Sequence, residues 1–310
     1  MSDTWDASDP NTPTFAGPLS LFRLPSGPLE GAEVAFYGAP LDLTTTGRPG
    51  ARLGPRAVRV ASTMISWGVS FPHGLSLQTA ARAVDLGDCL FDHGRAGDFE
   101  EKLLAYARRV VAAGAAPLVI GGDHFVAYPT LKALAERHGP LALVHFDAHP
   151  DTWPDEGERR RDHGTMFYHA VKEGLIDPSA SVQVGLRTHV DDHMGLLELN
   201  APWVHARGAQ ETVKAIRERV GDRPAYVTFD IDCLDPAFAP GTGTPVPGGL
   251  SSAQALEVLR GLSGLRVLGG DVVEVSPPYD HADITALVGA QVMIELYALV
   301  VARLRAEGAR

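Results

Sequence analysis

Asp147, His149 and Asp151 occupy alternate positions in LVHFDAHPDTW (143–153). A period of two puts three metal-binding groups on one side of an extended segment. TFDID (228–232) repeats the pattern with Asp230 and Asp232. GGDH (121–124) ends in His124, and DVVEV (271–275) carries Glu274 inside an apolar run. Singly, these signals are weak. Phosphatases, sugar transferases and ordinary loops share D-x-D, and a lone histidine is more often a hydrogen-bonded structural residue. Glu274 alone reads as an edge-strand carboxylate facing water, because a buried one is costly without a partner. Together they describe a site.

Two imidazoles and four carboxylates are too rich in oxygen for a structural zinc site, which takes cysteine and histidine in a closed tetrahedron. Mixed His and carboxylate donors suit Mn²⁺, Fe or Zn, and the share of oxygen favours Mn²⁺. Four carboxylates also exceed what one divalent ion needs. Two ions about 3.5–4 Å apart, with some carboxylates bridging, would relieve their repulsion and could hold a hydrolytic hydroxide.

The elements around these residues position them together. Apolar strands are expected at 32–40, 116–124, 140–149, 181–187, 224–235 and 265–275. Helical patterns fall at 98–114, 128–139, 208–221 and 251–262, with a long final helix from about 283. Short apolar strands alternating with helices imply βαβ units, so the fold class is α/β: one domain, three layers, a mostly parallel central sheet. In such sheets ligands sit beyond the carboxyl ends of strands, where the candidate residues collect. Residues 1–30, rich in Pro, Ser, Asp and Gly, read as a loosely ordered arm before a domain over 31–310.

Composition limits the alternatives. The 310-residue chain carries a formal charge of −11, which argues against nucleic acid or an anionic membrane as partner. Two cysteines, Cys89 and Cys233, are too few for a disulfide framework, and Cys233 reads as a small core residue. No basic stretch followed by an apolar run opens the chain, and the apolar stretch at 286–301 is interrupted by Gln291 and Glu295. A cytoplasmic globular protein is expected. Trp153 and Trp203 read as packing residues.

Longer stretches carry a resemblance. GRPGARLGPRAVR (47–59), GGDHF (121–125), LVHFDAH (143–149), DHGTMF (162–167), KEGLIDP (172–178), TFDIDCLDPAFAPGTGTPVPGGL (228–250) and DVVEVSPPYDHADITAL (271–287) resemble the ureohydrolases, the family of arginase and agmatinase, and above all its bacterial agmatinase branch. The resemblance spans nearly the whole chain. It implies an arginase-like fold and two Mn²⁺ per chain. His124, Asp147, Asp151 and Asp230 would hold one ion, and Asp147, His149, Asp230 and Asp232 the other, with Asp147 and Asp230 bridging. It implies His163 as proton shuttle, Glu274 as the guanidinium-binding carboxylate, and a homo-oligomer, hexamer or trimer. The implied reaction is hydrolysis of agmatine to putrescine and urea. The physics agrees: a delocalised guanidinium is a poor electrophile, so it needs a strong nucleophile, an orienting carboxylate and a proton for the departing amine.

The tail of the substrate is read less directly. The loop TWPDEGERRRD (152–162) has only Thr152 to set against the Ser and Asn with which arginases read an α-amino acid. Asp155 or Glu156 would favour a terminal ammonium. The Arg159–Arg161 run would favour a carboxylate, and so keeps a guanidinobutyrase or another guanidino-acid hydrolase as the alternative; a catalytically silent scaffold is a third. Pro150 departs from the family's usual Thr, with its side chain expected to point away from the metals.

Overall fold

The apolar runs form the strands they predict. The computed structural model describes residues 13–66, 68–95, 97–155 and 161–308. Its strands are β1 (Val34–Ala39), β2 (Val69–Ser70), β3 (Leu75–Ser76), β4 (Ala83–Asp88), β5 (Ala116–Gly121), β6 (Ala142–Phe146), β7 (Val182–Val184), β8 (Leu197–Leu199), β9 (Pro224–Asp230) and β10 (Arg266–Val273). Its helices are α1 (Gly54–Ile65), α2 (Asp98–Ala112), α3 (Ala127–His138), α4 (Met166–Lys172), α5 (Ala201–Val220), α6 (Ser252–Gly261) and α7 (Ile284–Gly308). Eight strands make one sheet in the order β4-β1-β5-β10-β9-β6-β7-β8, with every pairing parallel. β2 and β3 form a separate antiparallel hairpin.

Side-chain alternation splits the core in two. Phe36, Leu118, Val144 and Val227 pack on one face with Val58 of α1, Ile216 of α5, Val258 of α6 and Met293 of α7. Their neighbours Tyr37, Val119, Leu143 and Tyr226 pack on the other with Leu103 of α2, Leu131 of α3 and Phe167 of α4. A sheet covered on both faces is why its strands read as unbroken apolar runs. Cys233 is fully buried in the first of these cores, as expected. α7 is long and apolar enough to cross a membrane by length and composition, but most of that span is buried against β10, α1 and α6.

Two expectations need correction. The arm was expected to be loose to residue 30, yet Leu21, Phe22 and Leu24 are buried in the core. The Leu21 N–H donates to Asp85 Oδ2 at 2.7 Å and the Phe22 N–H to Ser62 Oγ at 2.9 Å. Three large apolar side chains outweigh the polar composition around them. The helix expected from 208 begins at Ala201, where Asn200 caps it by accepting from the Trp203 N–H; Gly208, at φ 78° and ψ 174°, breaks it. The glycine that suggested a start is an internal kink. The structure adds a helix to those expected, α1, which begins with Gly54 and Pro55, proline suiting the first helical turn.

Arg59 of α1 tests how that N-terminal layer is held. Its guanidinium donates to both oxygens of Asp85 and to Asp88 Oδ1, and Arg59 and Asp85 are both buried. Arg59→Ala takes the guanidinium away from the buried Asp85 carboxylate, leaving it only backbone N–H partners such as Leu21, so urea unfolding is expected to show a loss of about 3–5 kcal/mol. A loss below about 1 kcal/mol, the value of an exposed pair, would show that water reaches the carboxylate.

Candidate metal centre and substrate cavity

β5, β10, β9 and β6 are consecutive in the sheet, and their carboxyl ends carry all the candidate ligands. His124 opens the 3-10 turn after β5, Glu274 follows β10, Asp230 ends β9 with Asp232 in the next turn, and Asp147 follows β6. The positions are central, which removes the edge-strand reading of Glu274: it is 1% exposed.

The backbone that delivers these ligands is turned, not extended. β6 stops at Phe146, and Asp147 Oδ1 accepts from the His149 N–H at 2.6 Å. Asp230 Oδ1 accepts from the Asp232 N–H at 2.8 Å in the same way. Each D-x-D or D-x-H is thus closed by its first carboxylate, as aspartate does in short turns. Asp151 then takes φ 50° and Glu274 φ 61°. Left-handed backbone at non-glycine residues is strained and is kept where surrounding structure demands it. The period of two found the right residues, although turns rather than a pleat bring them together.

Two overlapping groups result. Donor atoms of His124, His145, Asp147 and Asp151 lie within metal-sharing reach of one another, as do those of Asp147, His149 and Asp232. Asp147 belongs to both. Its Oδ2 is 3.0 Å from His124 Nδ1, and its Oδ1 is 3.3 Å from His149 Nδ1. Asp230 Oδ2 is 3.3 Å from His124 Nδ1, which brings it to the first group.

The donors fit cations. Thr228 donates its hydroxyl to Asp271 Oδ1 at 2.6 Å, so it accepts from His124 Nε2–H at 2.8 Å. His124 Nδ1 is therefore the ring nitrogen turned to Asp147, Asp151 and Asp230, 3.0, 2.9 and 3.3 Å away, and against the effect of burial those carboxylates push its pKa well above the ordinary histidine range. Three carboxylates converging on one ring nitrogen in a buried space repel one another until positive charge sits among them. Burial, then Asp232 and Asp147, push the Asp230 carboxyl well above its ordinary range. Burial and Asp147 push Asp151 up as well. Asp147 goes the other way: burial opposes its charge, but His145 and His124 outweigh it.

His145 was not read from the sequence. It sits in β6 with Nε2 2.7 Å from Asp147 Oδ2, and Gln183 Nε2 lies 3.2 Å from its Nδ1. Gln183 also donates to the carbonyl of Pro150 at 2.7 Å, which ties the turn that bears Asp151 to β7. A histidine in the apolar run LVHF two residues before Asp147 was the available signal. Thr228 and Asp271 were missed likewise, each looking like part of a strand.

Glu274 and His163 form a second unit beside the ligands. Glu274 Oε1 accepts from the His124 backbone N–H at 2.9 Å and pairs with His163 Nδ1 at 3.0 Å. Glu274 Oε2 is buried and has no partner among the described residues. On the other side of the ring, His163 Nε2 lies 3.1 Å from the Thr46 backbone nitrogen and 3.2 Å from its hydroxyl. Burial opposes a charged His163, but Glu274 outweighs it and its pKa is pushed up to about 9.

A cavity of about 400 Å³ opens over this floor, lined by Thr46, His149, Asp151, Trp153, Asp162, His163, Gly164, Thr165, Asp230 and Thr244. Trp153, expected only to pack, stands in its wall with its ring against Gly164. Arg161 is turned outward: it donates to Glu100 Oε1 at 2.6 Å and to Glu173 Oε1 at 2.8 Å, and lies over the Tyr128 ring. Asp155 pairs with His169 Nε2 at 3.1 Å on α4. Glu156, Arg159 and Arg160 lie outside the described residues.

The Arginase family profile matches residues 32–298, most of the chain. The chain belongs to the arginase family. Among its relatives in the family, the agmatinase of Chromobacterium violaceum is 53% identical over 93% of this chain and 90% of its own. The crystal structure of a hypothetical agmatinase from Burkholderia thailandensis superposes with a TM-score of 0.91 at 51% identity, covering 95% of this chain and 94% of that one. Proclavaminate amidino hydrolase from Streptomyces clavuligerus gives 0.89 at 41% identity, covering 94% of this chain and 100% of that one. The parallel eight-stranded sheet is therefore the arginase-like fold, and the buried His/Asp groups are a metal-binding cluster typical of the arginase family.

Proposed function

We propose that the chain hydrolyses agmatine to putrescine and urea, using two Mn²⁺ ions held by His124, Asp147, His149, Asp151, Asp230 and Asp232. An oxygen-rich donor set with two imidazoles favours Mn²⁺ over softer ions. The observation that carries the substrate choice is the cavity lining, which among the described residues has carboxylates and no lysine or arginine. The described arginine of the 159–161 run is committed to Glu100 and Glu173. A guanidino acid would bring a carboxylate into this space with no lysine or arginine among the described lining residues to neutralise it, at a cost of several kcal/mol. Agmatine brings an ammonium.

When bound, the cations supply a nucleophile from water at neutral pH. The chain's own residues do the rest. Glu274 Oε2, buried and unpartnered, accepts a guanidinium N–H and turns the reacting carbon towards the ions. His163, held between Glu274 and Thr46, carries a proton at the pH where the amine must leave. Water adds to the guanidinium carbon, the bond from that carbon to the alkyl nitrogen breaks, and His163 delivers the proton that makes the leaving nitrogen an ammonium. Urea and doubly charged putrescine balance water and doubly charged agmatine.

Urea release with agmatine, arginine and 4-guanidinobutyrate tests this reading. The expected kcat/KM for agmatine exceeds the others by about a hundredfold or more. A preference for 4-guanidinobutyrate would replace the substrate and leave the metal chemistry standing.

A further inference from the structure

We infer that Asp162 is the specificity-determining residue that receives the terminal ammonium of the substrate, an assignment that rests on the agmatine reading above. Apart from the candidate ligands Asp151 and Asp230, Asp162 is the only carboxylate lining the described cavity. It stands immediately before His163, the residue that faces the scissile bond, so it lies along the path of a short chain leaving that centre. Its two oxygens are employed differently. Oδ1 accepts from the Gly164 N–H at 3.0 Å and from the Thr165 hydroxyl at 3.1 Å, closing the turn that places His163. No described residue donates to Oδ2. The turn therefore fixes the carboxylate in place and leaves one oxygen to be satisfied by something that enters the cavity.

The surroundings suit an alkyl ammonium. Gly164 has no side chain, and a Cβ there would stand 3.1 Å from Trp153 Cε3, so the indole can lie against the same wall. An aromatic surface beside a carboxylate gives a methylene chain an apolar cover and its terminal cation a partner. Asp155, which the sequence offered for this role, is turned to His169 instead.

Asp162→Asn separates this role from turn closure, because the amide oxygen can still accept from Gly164 and Thr165 while the charge is lost. The measurement is kcat/KM for agmatine and for butylguanidine, which has the same guanidinium and chain length but no ammonium. The expected result is that the wild-type preference for agmatine over butylguanidine falls by about ten- to hundredfold in Asp162→Asn, mainly through KM for agmatine. An equal loss on both substrates, or an unchanged preference, would reduce Asp162 to a turn residue. Should the variant not fold, the wild-type comparison still decides: agmatine preferred over butylguanidine by less than about threefold would rule out an ammonium partner anywhere in the cavity. Failure of the agmatine reading itself looks different, since it appears as a wild-type preference for 4-guanidinobutyrate.

Discussion

Asp147→Asn is expected to weaken both cation positions, because Asp147 alone has an atom in each of the two ligand groups. The amide cannot be accommodated by a flip. Asp147 Oδ1 accepts from the His149 N–H, and Oδ2 faces His145 Nε2, whose proton is fixed there by the Gln183 amide at the other ring nitrogen. Either orientation of an asparagine turns an NH₂ towards an existing donor. Loss of hydrogen-bonding partners outside the ligand shell commonly weakens metal binding by about 10–100-fold, so loss of a shared ligand is expected to exceed about a hundredfold at each position. Metal analysis after dialysis reads this directly. Asp147→Asn should retain neither ion under conditions where the parent holds two, whereas His149→Asn, which touches one group only, should retain one. A tightly held ion in Asp147→Asn would confine Asp147 to a single position and move the bridging role to Asp230.

Glu274→Gln should do the reverse, keeping metal and losing turnover. Gln can present its oxygen to the His124 N–H and His163, but then its NH₂ replaces Oε2, the buried atom without a partner. A donor would meet the donors of the guanidinium. Truncating one side of a desolvated charge pair costs about 2–5 kcal/mol, a loss of kcat/KM from about thirtyfold to several thousandfold. The same change has a signature in pH. His163 is raised to about 9 against the effect of burial because Glu274 is beside it. Activity that needs protonated His163 is lost as pH rises through that value, so removing the charge should move the alkaline limb of the kcat profile to lower pH. Metal lost together with activity would place Glu274 among the ligands and contradict the assignment.

The sequence showed ligands better than it showed the backbone that holds them. His124, Asp147, Asp230 and Glu274 were legible because buried parallel strands are apolar, so a polar group at their ends stands out. The turns were not. Positive φ at Asp151 and Glu274 is set by neighbouring layers, and neither residue type announces it. His145 and Asp271 were hidden by their strands, where a polar residue is tolerated only through its partners: Asp147 just beyond the same strand and Gln183 on β7 for one, Tyr226 and Thr228 on β9 for the other. α1 was invisible as a helix because its first turn, GPRAVR, was read only as part of a motif. Arg161 shows the limit from the other side: three successive arginines have a clear charge but no direction until α2 and α4 supply Glu100 and Glu173.

The strand order also dictates when the centre can exist during synthesis. β4, β1 and β5 form a block complete by residue 121, and β6, β7 and β8 a second block complete by residue 199. These blocks are not neighbours. β9 and β10, the last strands made, are wedged between them, with β10 against β5 and β9 against β6. His124 belongs to the first block, Asp147, His149 and Asp151 to the second, and Asp230, Asp232 and Glu274 to the wedge. A ribosome-bound chain that ends before residue 224 thus has two unfinished sheet edges, linked through α3, and an incomplete cation site. Pairings this distant in sequence form slowly, so joining β5 to β6 through β10 and β9 waits for the last strands made.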